Sequence, residues 1–342
     1  MGRLQAMSTL EQTRETVHAR PPADQLVKLY RTMTLLKQND ERFRAVVQSG
    51  RIIGNYYSPR GQEAIPSAIS LHLRPDDYVC TIYRGIHDSL AKGVPMKPLW
   101  AEIAGRATGT CKGKGGPMHI THPASGVMVT TGVVGSSMPI ANGLALASKM
   151  RGDGRIAVAY FGDGASNIGA FHEAMNMASI WQLPVVFVCQ NNRYGEHTKY
   201  AHTTAIDRIA KRADAYTMPG IHVDGNDPIA MYGAAQEAIE RARDGGGPTL
   251  IEAMTFRFHG HLLGDTDAYM DPGEKQGWMD RDPVPAFRRW LIDEGCATDA
   301  ELAGMEQEIA AEIEDAMRFA LSSPYPGVEE LRRDVYEQEV VE

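Results

Sequence analysis

Cysteine is scarce in this chain: four in 342 residues, Cys80, Cys111, Cys189 and Cys296, far apart and forming no C-x-x-C pair. That argues against a zinc ribbon or a disulfide framework and fits a reducing compartment. Long apolar runs are missing too, and none approaches the ~20 residues needed to span a bilayer. Positive charge is not in excess, since 35 Lys and Arg face 43 Asp and Glu. Without a basic stripe or block, nucleic acid is not an expected partner. The N-terminal "MGRLQAMSTLEQTRETVHARPP" has no hydrophobic signal core and carries acids among its bases, so neither a secretory nor a transit peptide is expected. Residues 1–22 read as a flexible polar arm, and the expected location is the cytoplasm. No internal repeat or low-complexity segment breaks the chain.

What is present is a repeated alternation. Helical spacing over residues 24–48 (Leu26, Leu29, Tyr30, Met33, Leu36) predicts a first helix, and another follows from near Gln62 to before Pro75. Apolar, β-rich runs at 76–84, 155–161, 184–190 and 248–258, with "GIHVD" before a further helix, have parallel-strand length. Helices alternate with them, including a small-residue helix through Met150 and one from about Gly169 to Gln182. The pattern predicts an α/β fold, a doubly wound, mostly parallel sheet flanked by helices over residues 23–280. Residues 281–342 read as a charged, amphipathic helical extension. Ligands of such sheets sit beyond the carboxyl ends of the strands. Tyr83 and Arg84, Gly162-Asp163-Gly164, Asn191 and Asn192, Asp224-Gly225 and His259 all fall there.

The stretch "GDGASN" at 162–167 decides what kind of ligand that is. A dinucleotide turn needs a third glycine where Asn167 stands, and Asp163 would repel a pyrophosphate resting on the helix N-terminus. A P-loop needs Gly-Lys-Ser/Thr, which is absent. An aspartate N-cap is the plain alternative. A hard divalent cation removes the repulsion, because Mg²⁺ lets a carboxylate and a diphosphate share one site. Asn192, 29 residues after Asp163, ends the next strand and offers a neutral oxygen.

Gly-Asp-Gly followed about thirty residues later by Asn-Asn resembles the thiamine diphosphate signature. "GQEA" (61–64), "YRG" (83–85), "GKGGPMH" (113–119), "GVVGSSMPIANGLALA" (132–147), "QNNRYG" (190–195), "PGIHVDGND" (219–227) and "FRFHGH" (256–261) extend the likeness in order. The chain resembles the alpha subunit of the thiamine-dependent first component of 2-oxo acid dehydrogenase complexes, in the pyruvate/acetoin branch. The resemblance implies the thiamine diphosphate-binding fold. It implies that Asp163, the Asn192 side chain and the Tyr194 carbonyl bind Mg²⁺. It implies diphosphate contacts from Tyr83, Arg84 and the backbone of Gly164 and Ala165, with Gly132 and Val134 facing the aminopyrimidine. His259 aligns with the family's active-site histidine, while His261, His119 and His87 remain lesser candidates. A His259/His261 metal pair is disfavoured for want of a third ligand.

The chain carries one α/β unit of the Mg²⁺ type, so the glutamate that activates thiamine is expected from a beta subunit, in an α2β2 heterotetramer. The small-residue run "MPIANGLALASKM" suits close packing across such an interface, and a lipoyl-bearing acyltransferase would receive the acyl group. Tyr57 stands near where the family often has histidine, and "HGHLLGDTD" is closer to the bacterial acetoin-type loop than to the serine-bearing mitochondrial one. Regulation by phosphorylation of that serine is therefore not expected. A branched-chain 2-oxo acid enzyme, a split transketolase subunit, a nicotinamide dehydrogenase and a non-catalytic Mg²⁺-diphosphate subunit are the competing readings.

Overall fold

The structure, a computed structural model, describes residues 20–335. Most of the expected arm at 1–22, and the last seven residues of the expected extension, lie outside the described residues. The valine- and alanine-rich runs become β1 (Tyr78–Ile82), β2 (Val127–Thr131), β3 (Ala157–Gly162), β4 (Val185–Asn191), β7 (Gly220–Asp224) and β8 (Thr249–Met254). They form one sheet in the order β2-β1-β3-β4-β8-β7, every pairing parallel. A two-residue ribbon, β5 (Tyr194–Gly195) and β6 (Thr198–Lys199), stands apart. β2 is not marked by the sequence pattern. Its "VMVTT" occupies the sheet edge with two residues only half-buried, so it lacks the fully apolar run of an interior strand.

Side chains alternate between two apolar layers, as the pleat requires. Val79, Val158, Tyr160, Val186, Val188 and Ile251 point to one side. There they meet α1 (Ala23–Gln48), α2 (Ala64–His72), α3 (Ile86–Ala91), α4 (Met96–Ile103), α8 (Pro228–Arg243), α10 (Pro283–Asp293) and α11 (Asp299–Ser322). Tyr78, Cys80, Ala157, Ala159, Phe161, Phe187 and Cys189 point the other way, onto α5 (Ser137–Arg151) and α6 (Gly169–Ile180). Each large side chain so buried contributes about 1.5–3 kcal/mol. The short helices α7 (Tyr200–Thr203) and α9 (Pro272–Met279) lie in the connections around the sheet's carboxyl edge.

Helix ends follow from local chemistry. Asp227 and Asp282 accept backbone N–H groups ahead of Pro228 and Pro283, and Thr298 with Glu301 forms a capping box at the start of α11. Leu302, Ile309, Ile313, Ala316, Met317 and Ala320 make one buried face of α11, which joins the same apolar layer as α1. Among the described residues no helix is long and apolar enough to cross a membrane.

Chain order reverses between β1 and β3: the chain leaves β1 for the edge strand β2, then returns to β3 on the other side. That is the switch point at which doubly wound sheets open a crevice. Tyr83 and Arg84 follow β1 and Asp163 follows β3, so the two groups flank it.

Candidate functional site

Register brings the two halves of the "GDG…NN" motif together, since β3 pairs with β4 through Gly162 and Gln190. Asp163 then opens a 3₁₀ turn (Asp163–Asn167) ahead of α6. It does not cap that helix, whose N-cap is Ile168, so the N-cap reading of the aspartate falls. Its side chain is 1% exposed, and neither carboxylate oxygen has a hydrogen-bond partner. Burial pushes its pKa up to about 7, against the opposing pull of the Asp163 and Asn192 backbone amides and Arg257. A buried carboxylate without a donor is costly, and among the described residues no other carboxylate has both oxygens buried and unpartnered.

The paired asparagines divide their tasks. Asn191 Nδ2 donates to buried Glu252 at 2.8 Å, which ties β4 to β8. The Asn192 side chain has only long contacts: Nδ2 to Gln62 Oε1 at 3.5 Å, and Oδ1 from the Tyr194 N–H at 3.4 Å. Gly195 approaches the aspartate turn so closely that a Cβ on Gly164 would lie 3.2 Å from Gly195 Cα. One unpartnered carboxylate, one amide oxygen and the turn at Tyr194 make a donor set suited to a hard divalent cation. Among the described residues no three His, Cys, Asp or Glu side chains form a metal cluster.

Across the switch point two guanidinium groups meet over one imidazole. Arg84, 4% exposed, donates to the Ser58 carbonyl (2.9 Å), the His261 carbonyl (3.1 Å) and His261 Nδ1 (3.3 Å). Arg257, 1% exposed, donates to the same Nδ1 (3.2 Å), to the Glu196 carbonyl (2.8 Å) and to Tyr269 Oη (2.9 Å). Guanidinium only donates, so Nδ1 accepts and the ring carries its proton on Nε2. Burial, then Arg84 and Arg257, lower His261 to about 4. Burial and Arg84 likewise bring Arg257 down to about 10. Among the described residues neither arginine has a carboxylate within ion-pair distance. Two buried cations without a counter-charge define a place for an anion.

The rest of this corner is aromatic. Tyr57 lies 4.8 Å from the Tyr83 ring and 5.2 Å from the His261 ring, centroid to centroid. Asp40 on α1 supports the arrangement from beneath: it accepts from Tyr56 and Ser58 at 2.8 Å each, and the Ser58 carbonyl holds Arg84. The Tyr83 N–H donates to the Thr131 carbonyl (2.9 Å), so the turn at Gly132 and Val134 joins the site. A Cβ on Gly135, where φ is +79°, would lie 2.0 Å from Ile168 Cδ1, which locks this turn against the aspartate turn.

Not every candidate gathers here. The charged neighbours of His259 are Arg44, Lys275, Arg60 and Asp267, and burial with the first three lowers it to about 3. His261, two residues on, is the histidine that contacts Arg84. His87 is fully buried and bonds the Leu36 carbonyl (3.1 Å), a packing role between α3 and α1. His119 reaches Gly132 instead: a Cβ there would lie 3.6 Å from His119 Cε1. Arg257 escapes a reading of the motif altogether. Its only signal is an arginine just past a strand end, in "FRFHGH".

The chain matches the family model described as "Dehydrogenase E1 component" over residues 30–329. It is similar to the alpha subunit of acetoin:2,6-dichlorophenolindophenol oxidoreductase of Bacillus subtilis (strain 168), 42% identical over 310 residues that cover 90% of this chain and 92% of that one. The corresponding subunit of Cupriavidus necator is 40% identical over 312 residues, 91% of this chain and 94% of that one. The pyruvate dehydrogenase E1 component subunit alpha of Porphyra purpurea is 36% identical over 318 residues, with coverage of 91% and 92%.

Proposed function

This chain belongs to the dehydrogenase E1 component family, whose members depend on thiamine diphosphate, and from that premise we propose that it is the alpha subunit of an acetoin or 2-oxo acid dehydrogenase. The observation that carries the site assignment is the lone, buried carboxylate of Asp163, faced across the switch point by two unpaired guanidinium groups. In this reading Asp163, the Asn192 side chain and the Tyr194 carbonyl hold Mg²⁺. Tyr83, Arg84 and the backbone of Gly164 and Ala165 hold the diphosphate, and the contacts of Arg84 and Arg257 with His261 support including Arg257 and His261 in that group. Gly132 and Val134 present backbone to the aminopyrimidine.

When bound, thiamine diphosphate supplies a carbon nucleophile and an electron sink for cleaving the bond next to a carbonyl. The chain's own residues orient and neutralise. Arg84 and Arg257 offer forked donors to phosphate oxygens, and His261 keeps Nε2–H as its free donor. His259, the histidine expected from the motif, is lowered to about 3 by burial and by the charges of Arg44, Lys275 and Arg60. The placement of His261 beside Arg84 favours it over His259 for the diphosphate corner.

The beta subunit implied by the relatives' names would bring the activating glutamate and complete an α2β2 assembly, with a lipoyl-bearing acyltransferase as acyl acceptor and the cytoplasm as setting. The greater identity to the acetoin enzymes makes acetoin the first substrate to assay, ahead of pyruvate. The test is dye reduction by the chain co-expressed with its beta subunit, with Mg²⁺ and thiamine diphosphate added singly and together. Activity should need both additions and both subunits, and Asp163→Ala or Asn192→Ala should abolish Mg²⁺-dependent cofactor binding in a folded protein. Full turnover by the isolated chain, or unchanged affinity in the variants, would overturn the reading.

A further inference from the structure

The glycine-rich stretch "GTCKGKGGPMHI" has the composition of a phosphate loop, yet it closes around a carboxylate of its own chain. Glu102, fully buried on α4, accepts four backbone N–H groups. Oε2 takes those of Cys111 (2.7 Å) and Gly113 (2.9 Å), and Oε1 those of Gly115 (2.7 Å) and Gly116 (3.0 Å). Successive amides converging on one anion form a nest, and each bond to the charged oxygen is stronger than a neutral one.

Glycine is required by this closeness. A Cβ on Gly109 would lie 2.3 Å from Glu102 Oε2, and one on Gly115 2.2 Å from the His119 carbonyl oxygen. The loop's regular structure is a single 3₁₀ turn, Gly116–Met118, so its shape depends on the carboxylate inside it. Its penultimate residue is His119, whose ring reaches the turn at Gly132. On its outer side Lys112 and Lys114 pair with Asp334 at 2.8 and 2.7 Å.

We propose that Glu102 is a positioning residue: its carboxylate holds the glycine loop in the shape that sets His119 against the turn at Gly132. Glu102 itself touches neither substrate nor cofactor. The service to His119 rests on the functional reading above, whereas the fastening of the loop does not.

Hydrogen exchange on the full chain tests the fastening. The amides of Cys111, Gly113, Gly115 and Gly116 should be protected in the wild type. In Glu102→Gln they should exchange about 10- to 100-fold faster, the loss expected for bonds to a charged acceptor, while the amides of α1 and β4 keep their rates. Gly115→Ala attacks the same loop without altering the carboxylate and should release the same amides. Unprotected amides in the wild type, or unchanged rates in both variants, would overturn the fastening. The second arm measures dye reduction by the enzyme with its beta subunit. Glu102→Gln should lower kcat ~10- to 100-fold, the scale of a small misplacement at a reacting centre. The Glu102→Gln/His119→Ala double variant should be no slower than His119→Ala. Additive losses, or a His119→Ala enzyme at full rate, would overturn the positioning role. Exchange decides the fastening whatever substrate the enzyme takes, so failure of the functional reading and failure of the proposal are distinguishable.

Discussion

Burial raises the pKa of Asp163 from the ordinary 3.8 to about 7, and the nearby backbone amides of Asp163 and Asn192 with Arg257 only partly oppose it. A carboxyl raised in the folded state gives stability below its unfolded pKa, and that stability is lost as pH rises through the folded value. Asp163→Asn should therefore raise Tm of the ligand-free chain at pH 8 by at least ~2 °C, the gain shrinking towards pH 4. The same variant should lose Mg²⁺-dependent cofactor binding, by calorimetry. A lower Tm at pH 8 would mean the carboxylate has a partner after all. Arg257→Met should weaken thiamine diphosphate about 10- to 100-fold at saturating Mg²⁺, the worth of charge-assisted bonds, and equal affinity would remove Arg257 from the site. Asp163 and Asn192 are legible in the sequence because a strand-end turn and one crossover fix their relation. The choice between His259 and His261 is not. Both lie beyond the end of β8 at Met254, in irregular chain where no periodicity tells which side chain turns inward.

At the scale of elements, four of the six sheet strands are visible as apolar runs because both of their faces are buried. β7 alternates exposed with half-buried residues, and it shows instead through the turn chemistry of "DGND". β2 stays hidden because an edge strand that presents threonines and half-buried residues looks like loop. α11 illustrates how an element is fastened at one end. The Thr298 hydroxyl accepts the Glu301 N–H and the Glu301 carboxylate accepts the Thr298 N–H at 2.8 Å. Thr298→Ala should cost about 0.5–2 kcal/mol by denaturant titration. Dye-reduction activity should stay unchanged, since the cap's hydrogen bonds join only Thr298 and Glu301. No loss of stability would show that the helix depends on its buried face alone.

For the whole molecule, Val133 and Val134 beside the candidate site are exposed, and so are Ile140 and Met150 on α5. Large apolar side chains exposed beside a site are the kind of surface a partner protein covers. The isolated chain should bind 8-anilinonaphthalene-1-sulfonate, and co-expression with the beta subunit should suppress that fluorescence. Equal dye binding in both would place the partner elsewhere. The sheet also holds opposite charges apart. Asp163 and the pair Arg84 and Arg257 belong to different strand ends, and among the described residues no ion pair joins them. An incoming metal and diphosphate therefore find no internal ion pair to break first. In stopped-flow mixing, the observed binding rate should climb in proportion to ligand concentration, without the plateau that a slow opening step would impose.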